Sequence, residues 1–158
     1  MSKVLLVLGS KSDLRVAERS MEVLKKFSVA YDIHVASAHR TPKKLEEIVT
    51  KSDADIVIAI AGLSAALPGS IAAMTVKPVI GVPVSGVLNM DSILSVVQMP
   101  PGIPVAAVGL DRGDNATMLA IQIIGMNDQK IRKKITEYRQ EMADRVLKDS
   151  EEVRKCSM

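Results

Sequence analysis

Five short apolar runs, each closing near a Gly, Ser or Pro and each separated from the next by helical spacing, leave this chain very few folds. They are KVLLVLG (3–9), YDIHVAS (31–37), DIVIAI (55–60), PVIGVPV (78–84) and PVAAV (104–108). Between them Leu14, Ala17, Met21 and Leu24 form one helical stripe, Leu45, Ile48 and Val49 a second, and Ala116, Leu119, Ala120 and Ile123 a third. A strand that is apolar almost throughout is buried on both faces. Parallel strands also need crossovers, and each crossover lays its helix on the sheet. The alternation therefore predicts an α/β fold, a single doubly wound parallel sheet covered on both sides. From Asp128 to about Lys148, the stripe Ile131, Ile135, Tyr138, Met142 and Val146 predicts a long C-terminal amphipathic helix, with the tail 149–158 frayed. No repeat and no linker rich in Pro, Gly or Ser divides the chain, so residues 1–158 are expected to form one domain.

Composition narrows the function classes. At 158 residues and 47% hydrophobic, the chain suffices for one core. The net charge of +3 is spread among acidic residues, and the aromatic residues are Phe27, Tyr31 and Tyr138 alone. Single-strand binders stack bases on aromatic platforms, so no nucleic-acid partner is expected. A lone Cys156 permits neither an internal disulfide nor a cysteine metal cluster, and the chain reads as intracellular; no metal site is expected. The N-terminal apolar run breaks at Gly9-Ser10-Lys11, and no other run reaches the roughly 18 uncharged residues of a membrane span. A soluble, cytoplasmic protein with no membrane partner is expected.

In open α/β sheets, ligands sit beyond the carboxyl ends of the strands, so the strand-end loops are where chemistry is sought. The first is GSKSD, Gly9 to Asp13, which leads into the first helix. Gly9 permits a tight turn, and the hydroxyls of Ser10 and Ser12 stand beside the free N–H groups of a helix start, a setting that favours phosphate. Asp13 would repel phosphate but accept hydrogen bonds from ribose hydroxyls. The plainer alternative is a helix cap by Ser12 or Asp13. The second loop is SAHR, residues 37–40, with Thr41 placed as N-cap and Pro42 at the first helical position. Arg40 offers a fork of donors and Ser37 a hydroxyl. His39 can exchange protons near neutral pH, though on position alone a surface role stays equally open. His34, mid-strand, reads as structural. The third loop, AGLSAALPG (61–69), brings backbone close to a ligand through Gly62 and small side chains, or is simply a tight packing turn. In the fourth, Asn89, Asp91 and Ser92 cap a short helix, and Pro100, Pro101 and Pro104 stiffen the return to the fifth strand.

GSKSD, SAHRTP, ALPG, GVPV and VQMPPGIPVA occur in the order and spacing of the carboxyaminoimidazole ribonucleotide mutase family of purine biosynthesis, which the chain resembles over residues 3–145. The resemblance implies a flavodoxin-like three-layer sandwich, a homo-octamer, a small ribonucleotide substrate and no cofactor. Members are either mutases, which move a carboxylate from the exocyclic nitrogen to the ring carbon, or carboxylases, which use free carbon dioxide. By the same resemblance Gly9, Ser10, Ser12 and Asp13 would meet ribose and phosphate, and Ser37, Ala38 and Arg40 would hold the phosphate side. His39 would be the general acid/base, and Ala61, Gly62, Ser64 and Leu67 would line the pocket. Gly86 to Asp91 and Gln98 to Gly102 would lie near the substrate, partly at a subunit boundary.

The third loop departs from the family. Mutases commonly read GGAAHLPG there, whereas this chain has Leu63 for a glycine and Ala66 for the histidine. Arg40 after His39 favours the mutase branch, since carboxylases commonly have lysine. Their AGRSN loop is absent too. Mutase is therefore expected, with direct carboxylase as the alternative. A non-catalytic nucleotide-monophosphate binding module would use the same phosphate loops, but retention of the whole SAHRTP run argues against it. A flavodoxin-like electron carrier would need aromatic residues to sandwich its flavin.

Overall fold

The computed structural model describes residues 2–87 and 89–156, and the apolar runs become strands within it. They are β1 (Lys3–Leu8), β2 (Ala30–Val35), β3 (Ile56–Ala61), β4 (Val79–Pro83) and β5 (Ala106–Ala107). All pair in parallel in the order β2-β1-β3-β4-β5, so the chain reverses its direction of travel between β1 and β3. The connections are α1 (Leu14–Phe27), α2 (Pro42–Lys51), α3 (Leu67–Ala72), α4 (Asn89–Val97) and α5 (Gly113–Gly125), followed by α6 (Gln129–Cys156). The helices cover both faces, the doubly wound arrangement that the alternation requires.

By contact, residues 1–120 and 121–158 form two compact units. In the first, every residue of β3 and β4 is buried, which is why these runs lack polar alternation. Leu5, Val7, Val57, Ala59 and Val79 point to one side of the sheet, where Leu45, Ile48, Val49, Leu67, Ile71 and Val96 of α2, α3 and α4 pack on them. The alternate residues, among them Leu6, Ile58 and Ile80, are fully buried on the opposite side. In α1 the buried stripe is Val16, Ala17, Ser20, Leu24 and Phe27, whereas Leu14 is 38% exposed. The expected stripe was thus rotated by part of a turn. β5 is shorter than its apolar run, because Pro104 has no N–H to give a ladder. β2, an edge strand, leaves His34 exposed.

Gly81 sits where α3 and α4 converge on β4. A Cβ there would lie 2.5 Å from Val96 Cγ1 and 3.1 Å from Pro68. Gly81→Ala is expected to destabilise the protein by about 1 to 2 kcal/mol through overpacking, as a lowered urea midpoint with an unchanged slope.

In the second unit, the Asp128 carboxylate accepts the N–H groups of Lys130 (2.8 Å) and Ile131 (3.2 Å) and so caps α6. Arg132 reaches back to the carbonyls of Gly125 and Met126 at 3.2 and 2.8 Å. Ile131 and Ile135 are buried, but Met142 and Val146 are exposed. The helix also runs through Cys156 rather than ending near 148, for nothing in SEEVRKC breaks it: the segment holds neither Gly nor Pro. Residues 157 and 158 of the expected tail lie outside the described residues. Among the described residues no helix is long and apolar enough to cross a membrane.

Candidate active site

The β1–α1 loop is held open by its own side chains. Ser10 is extended, and its Oγ accepts the Ser12 N–H at 3.2 Å while the Asp13 carboxylate accepts the Ser10 N–H at 2.9 Å. This reciprocal capping box starts a single 3-10 turn, Lys11–Asp13, ahead of α1. The cap therefore falls on Ser10, not on Ser12 or Asp13, because an acidic residue three positions on completes the box. The Ser10 and Ser12 hydroxyls stand 2.9 Å apart, so each can turn to a ligand without unmaking the loop.

Asp13 is only 5% exposed. Burial pushes its carboxyl above the ordinary value of 3.8, against the Ser10 N–H, the Ser12 hydroxyl and the charges of Arg15 and Arg40. A raised carboxyl pKa means that the native chain holds the proton more tightly than the unfolded chain. The ionised group therefore costs stability at neutral pH and costs nothing well below 3.8. Asp13→Asn is expected to raise the melting temperature at pH 7 and to leave it unchanged near pH 3. In the role that the resemblance implies for Asp13, the change should also weaken ribonucleotide binding about tenfold by removing a charged acceptor. Melting curves at the two pH values and a calorimetric titration check both halves. A lower melting temperature at pH 7 would reverse the sign assigned to Asp13.

In the second loop, Thr41 precedes Pro42 as expected, yet its hydroxyl caps no helix N–H. It accepts the Ser37 N–H at 2.9 Å and donates to the Ser37 carbonyl at 3.2 Å, which cinches SAHRT into a closed turn. Ser37 Oγ accepts from Arg40 N at 3.2 Å and Nε at 3.3 Å, leaving its own proton to give. Arg40 Nη2 donates to the Gly9 carbonyl at 3.1 Å. The guanidinium is thereby laid across the end of β1, beside Ser10 and Ser12. His39, at the tip of the turn, is exposed and makes no hydrogen bond among the described residues, so its ring is available to a ligand.

The third loop carries backbone strain. Leu63 has φ +50° and Ala65 φ +37°, in the left-handed region that side chains rarely adopt. Leu63 occupies the position where glycine is usual in the resembled family, and its side chain is 82% exposed. The turn survives the substitution because the Ala65 N–H bonds the Gly62 carbonyl at 3.0 Å and buried Leu67 opens α3. A Cβ on Gly62 would lie 3.3 Å from the Val84 carbonyl oxygen, so a side chain here would make the segment after β4 give by a few tenths of an ångström.

These loops surround one cleft of about 500 Å³ at the carboxyl ends of β1, β3 and β4. All twelve residues singled out in the first three loops line it: Gly9, Ser10, Ser12 and Asp13; Ser37, Ala38, His39 and Arg40; Ala61, Gly62, Ser64 and Leu67. Ala66 lines it as well, so the missing histidine would have faced the ligand space. Arg15, Val84 and Ser85 were not foreseen. Ser85 follows a strand end, and the strand-end rule reaches it. Arg15 lies inside a helix, where only its place one turn past GSKSD could have signalled it. Of the fourth-loop residues, Gly86 lines the cleft, whereas Asn89 to Asp91 and Gln98 to Gly102 do not; Leu88 lies outside the described residues. Among the described residues no three His, Cys, Asp or Glu side chains are grouped to hold a metal ion.

Comparison with known proteins agrees with the motifs. A family model described as AIR carboxylase matches residues 3–145. N5-carboxyaminoimidazole ribonucleotide mutase of Methanocaldococcus jannaschii is 53% identical over 152 residues, covering 96% of this chain and 97% of that protein. The mutase of Pyrococcus abyssi is 48% identical over 90% of this chain and 84% of its own length. Among solved structures, Treponema denticola PurE superposes with a TM-score of 0.87 at 30% identity, over 94% of this chain and 96% of that one.

Proposed function

The chain belongs to the AIR carboxylase family, and from that premise we propose that it is an isomerase of purine biosynthesis, converting N5-carboxyaminoimidazole ribonucleotide to 4-carboxy-5-aminoimidazole ribonucleotide. The observation that carries the reading is the convergence of His39, Arg40 and the serines of two loops on one cleft. Arg40 and the hydroxyls of Ser10, Ser12 and Ser37 form a group of donors suited to a phosphate. Asp13, beside them, accepts from ribose hydroxyls. Ala61, Gly62, Ser64 and Leu67 supply a wall of backbone and small side chains around the reacting ring.

His39 serves both halves of the reaction. The bond between the exocyclic nitrogen and its carboxylate breaks, carbon dioxide leaves, and the nitrogen takes a proton from His39. The ring carbon then bonds to the carbon dioxide retained in the cleft and loses its proton to His39, which returns to its starting state. One acid/base group balances the cycle. We read the whole chain as one catalytic domain that acts in the cytoplasm and assembles as a homo-octamer, which light scattering on the purified protein would measure.

Ala66 favours weighing the carboxylase alternative, because it removes a side chain facing the cleft. A paired assay decides. One arm supplies the N5-carboxylated nucleotide, the other aminoimidazole ribonucleotide with bicarbonate, and both follow the common product. Rapid turnover only in the first arm is expected. Efficient turnover at low bicarbonate in the second would make the protein a direct carboxylase, and ligand binding without turnover in either would leave a binding module.

A further inference from the structure

On the β4 side of the cleft, three segments distant in sequence meet at one carboxylate. Arg15, on the first turn of α1, and Ser85, just beyond β4, both line the cleft. Behind them is Asp111, in the loop between β5 and α5, which does not. The Arg15 guanidinium grips Asp111 at two points, Nη1 to Oδ2 at 3.2 Å and Nη2 to Oδ1 at 3.3 Å. The same carboxylate accepts the Ser85 N–H at 2.9 Å and the Ser85 hydroxyl. Arg15 Nη2 also donates to Ser85 Oγ at 2.9 Å. Asp111 is itself fixed through its backbone, for its N–H bonds the Pro83 carbonyl at 2.9 Å and its carbonyl accepts from Arg19 at 3.2 Å. Its φ of +57° is a left-handed conformation that Asp and Asn tolerate best among residues with side chains.

The pattern is more than an exposed ion pair would need. Such pairs stabilise little, because ordering a long side chain offsets the attraction. Here the carboxylate's acceptor directions are all taken inside the chain. Arg15, half exposed, keeps its Nε–H and one Nη1–H without a partner among the described residues. Burial works against ionisation of Asp111, and the bonds from Ser85 and Arg15 outweigh it, holding the carboxyl below its usual range. Arg40 reaches the end of β1 and Arg15 the end of β4, two strand spacings or about 10 Å away.

We infer that Asp111 is a positioning residue. It fixes Arg15 and Ser85 so that Arg15 presents its remaining donors to oxygen atoms of the bound ribonucleotide, as a second cationic anchor opposite Arg40. The inference rests on the ribonucleotide reading above.

The test is a double-mutant cycle of Arg15→Ala, Asp111→Asn and both together. Asparagine matches aspartate in size and suits the left-handed φ, but it lacks the second oxygen that the guanidinium grips. Each single variant should raise KM for the N5-carboxylated nucleotide about tenfold with little change in kcat. The double variant should be no worse than Arg15→Ala alone, because Asp111 acts through Arg15. An unchanged KM in Arg15→Ala, a loss confined to kcat, or a double variant showing the product of the two single losses would overturn the inference. Should Asp111→Asn fail to fold, Ser85→Ala takes its place in the cycle. If the unmodified protein does not turn over, the mutase reading fails, and calorimetric binding of 4-carboxy-5-aminoimidazole ribonucleotide tests the anchor by the same non-additivity. Absence of binding by the unmodified protein would overturn both.

Discussion

His39→Ala is expected to lower turnover by about 10² to 10⁴, the usual contribution of a positioned acid/base group, while the melting temperature and substrate affinity change little. Two features separate these effects. The ring is exposed and makes no hydrogen bond among the described residues, so its removal leaves no buried group unsatisfied. The turn that carries it is closed by Thr41 and Ser37, with no part played by the imidazole. A pure loss of kcat would show that the histidine acts on the proton in transit, and residual turnover close to that of the unmodified enzyme would sink the role.

Arg40→Ala should chiefly raise KM. Loss of a charged hydrogen bond corresponds to about 1.5 to 3 kcal/mol, or roughly 10- to 150-fold. The effect belongs to binding because the guanidinium is already aimed, held by Ser37 Oγ and the Gly9 carbonyl before any ligand arrives. Arg40→Lys should recover only part of the affinity, since an ammonium restores the charge but not the planar fork. Equal KM values for the alanine and unmodified proteins would remove the phosphate from this position. Because Arg40 is exposed, its replacement should shift stability by no more than about 0.5 kcal/mol.

Much of the site was legible because its residues cluster at the ends of predictable strands. Once β1, β2 and β3 are placed, GSKSD, SAHR and AGLSAAL must share one edge of the sheet, and they do line one cleft. Local chemistry was read less well. Thr41 is in the capping position, but its hydroxyl turns to the N–H and carbonyl of Ser37 instead of to the helix. In α6 the amphipathic stripe runs as far as Val146, but apolar periodicity says only that a face exists. It does not say that anything covers it, and Val146 is 67% exposed.

The sequence by itself determined the parallel sheet, the three loops that line the cleft, and the histidine and arginine carried by the second of them. These follow from the period of the apolar residues and from strand and turn chemistry acting over a few positions. Only the tertiary structure decided that Arg15, Ser85 and Asp111 would meet. They are separated by 70 and 26 positions along the chain, with no shared motif, and strand order alone brings β4 and the loop after β5 alongside α1. Hydrogen-bond partners that far apart are chosen by the fold, after the local rules have been satisfied.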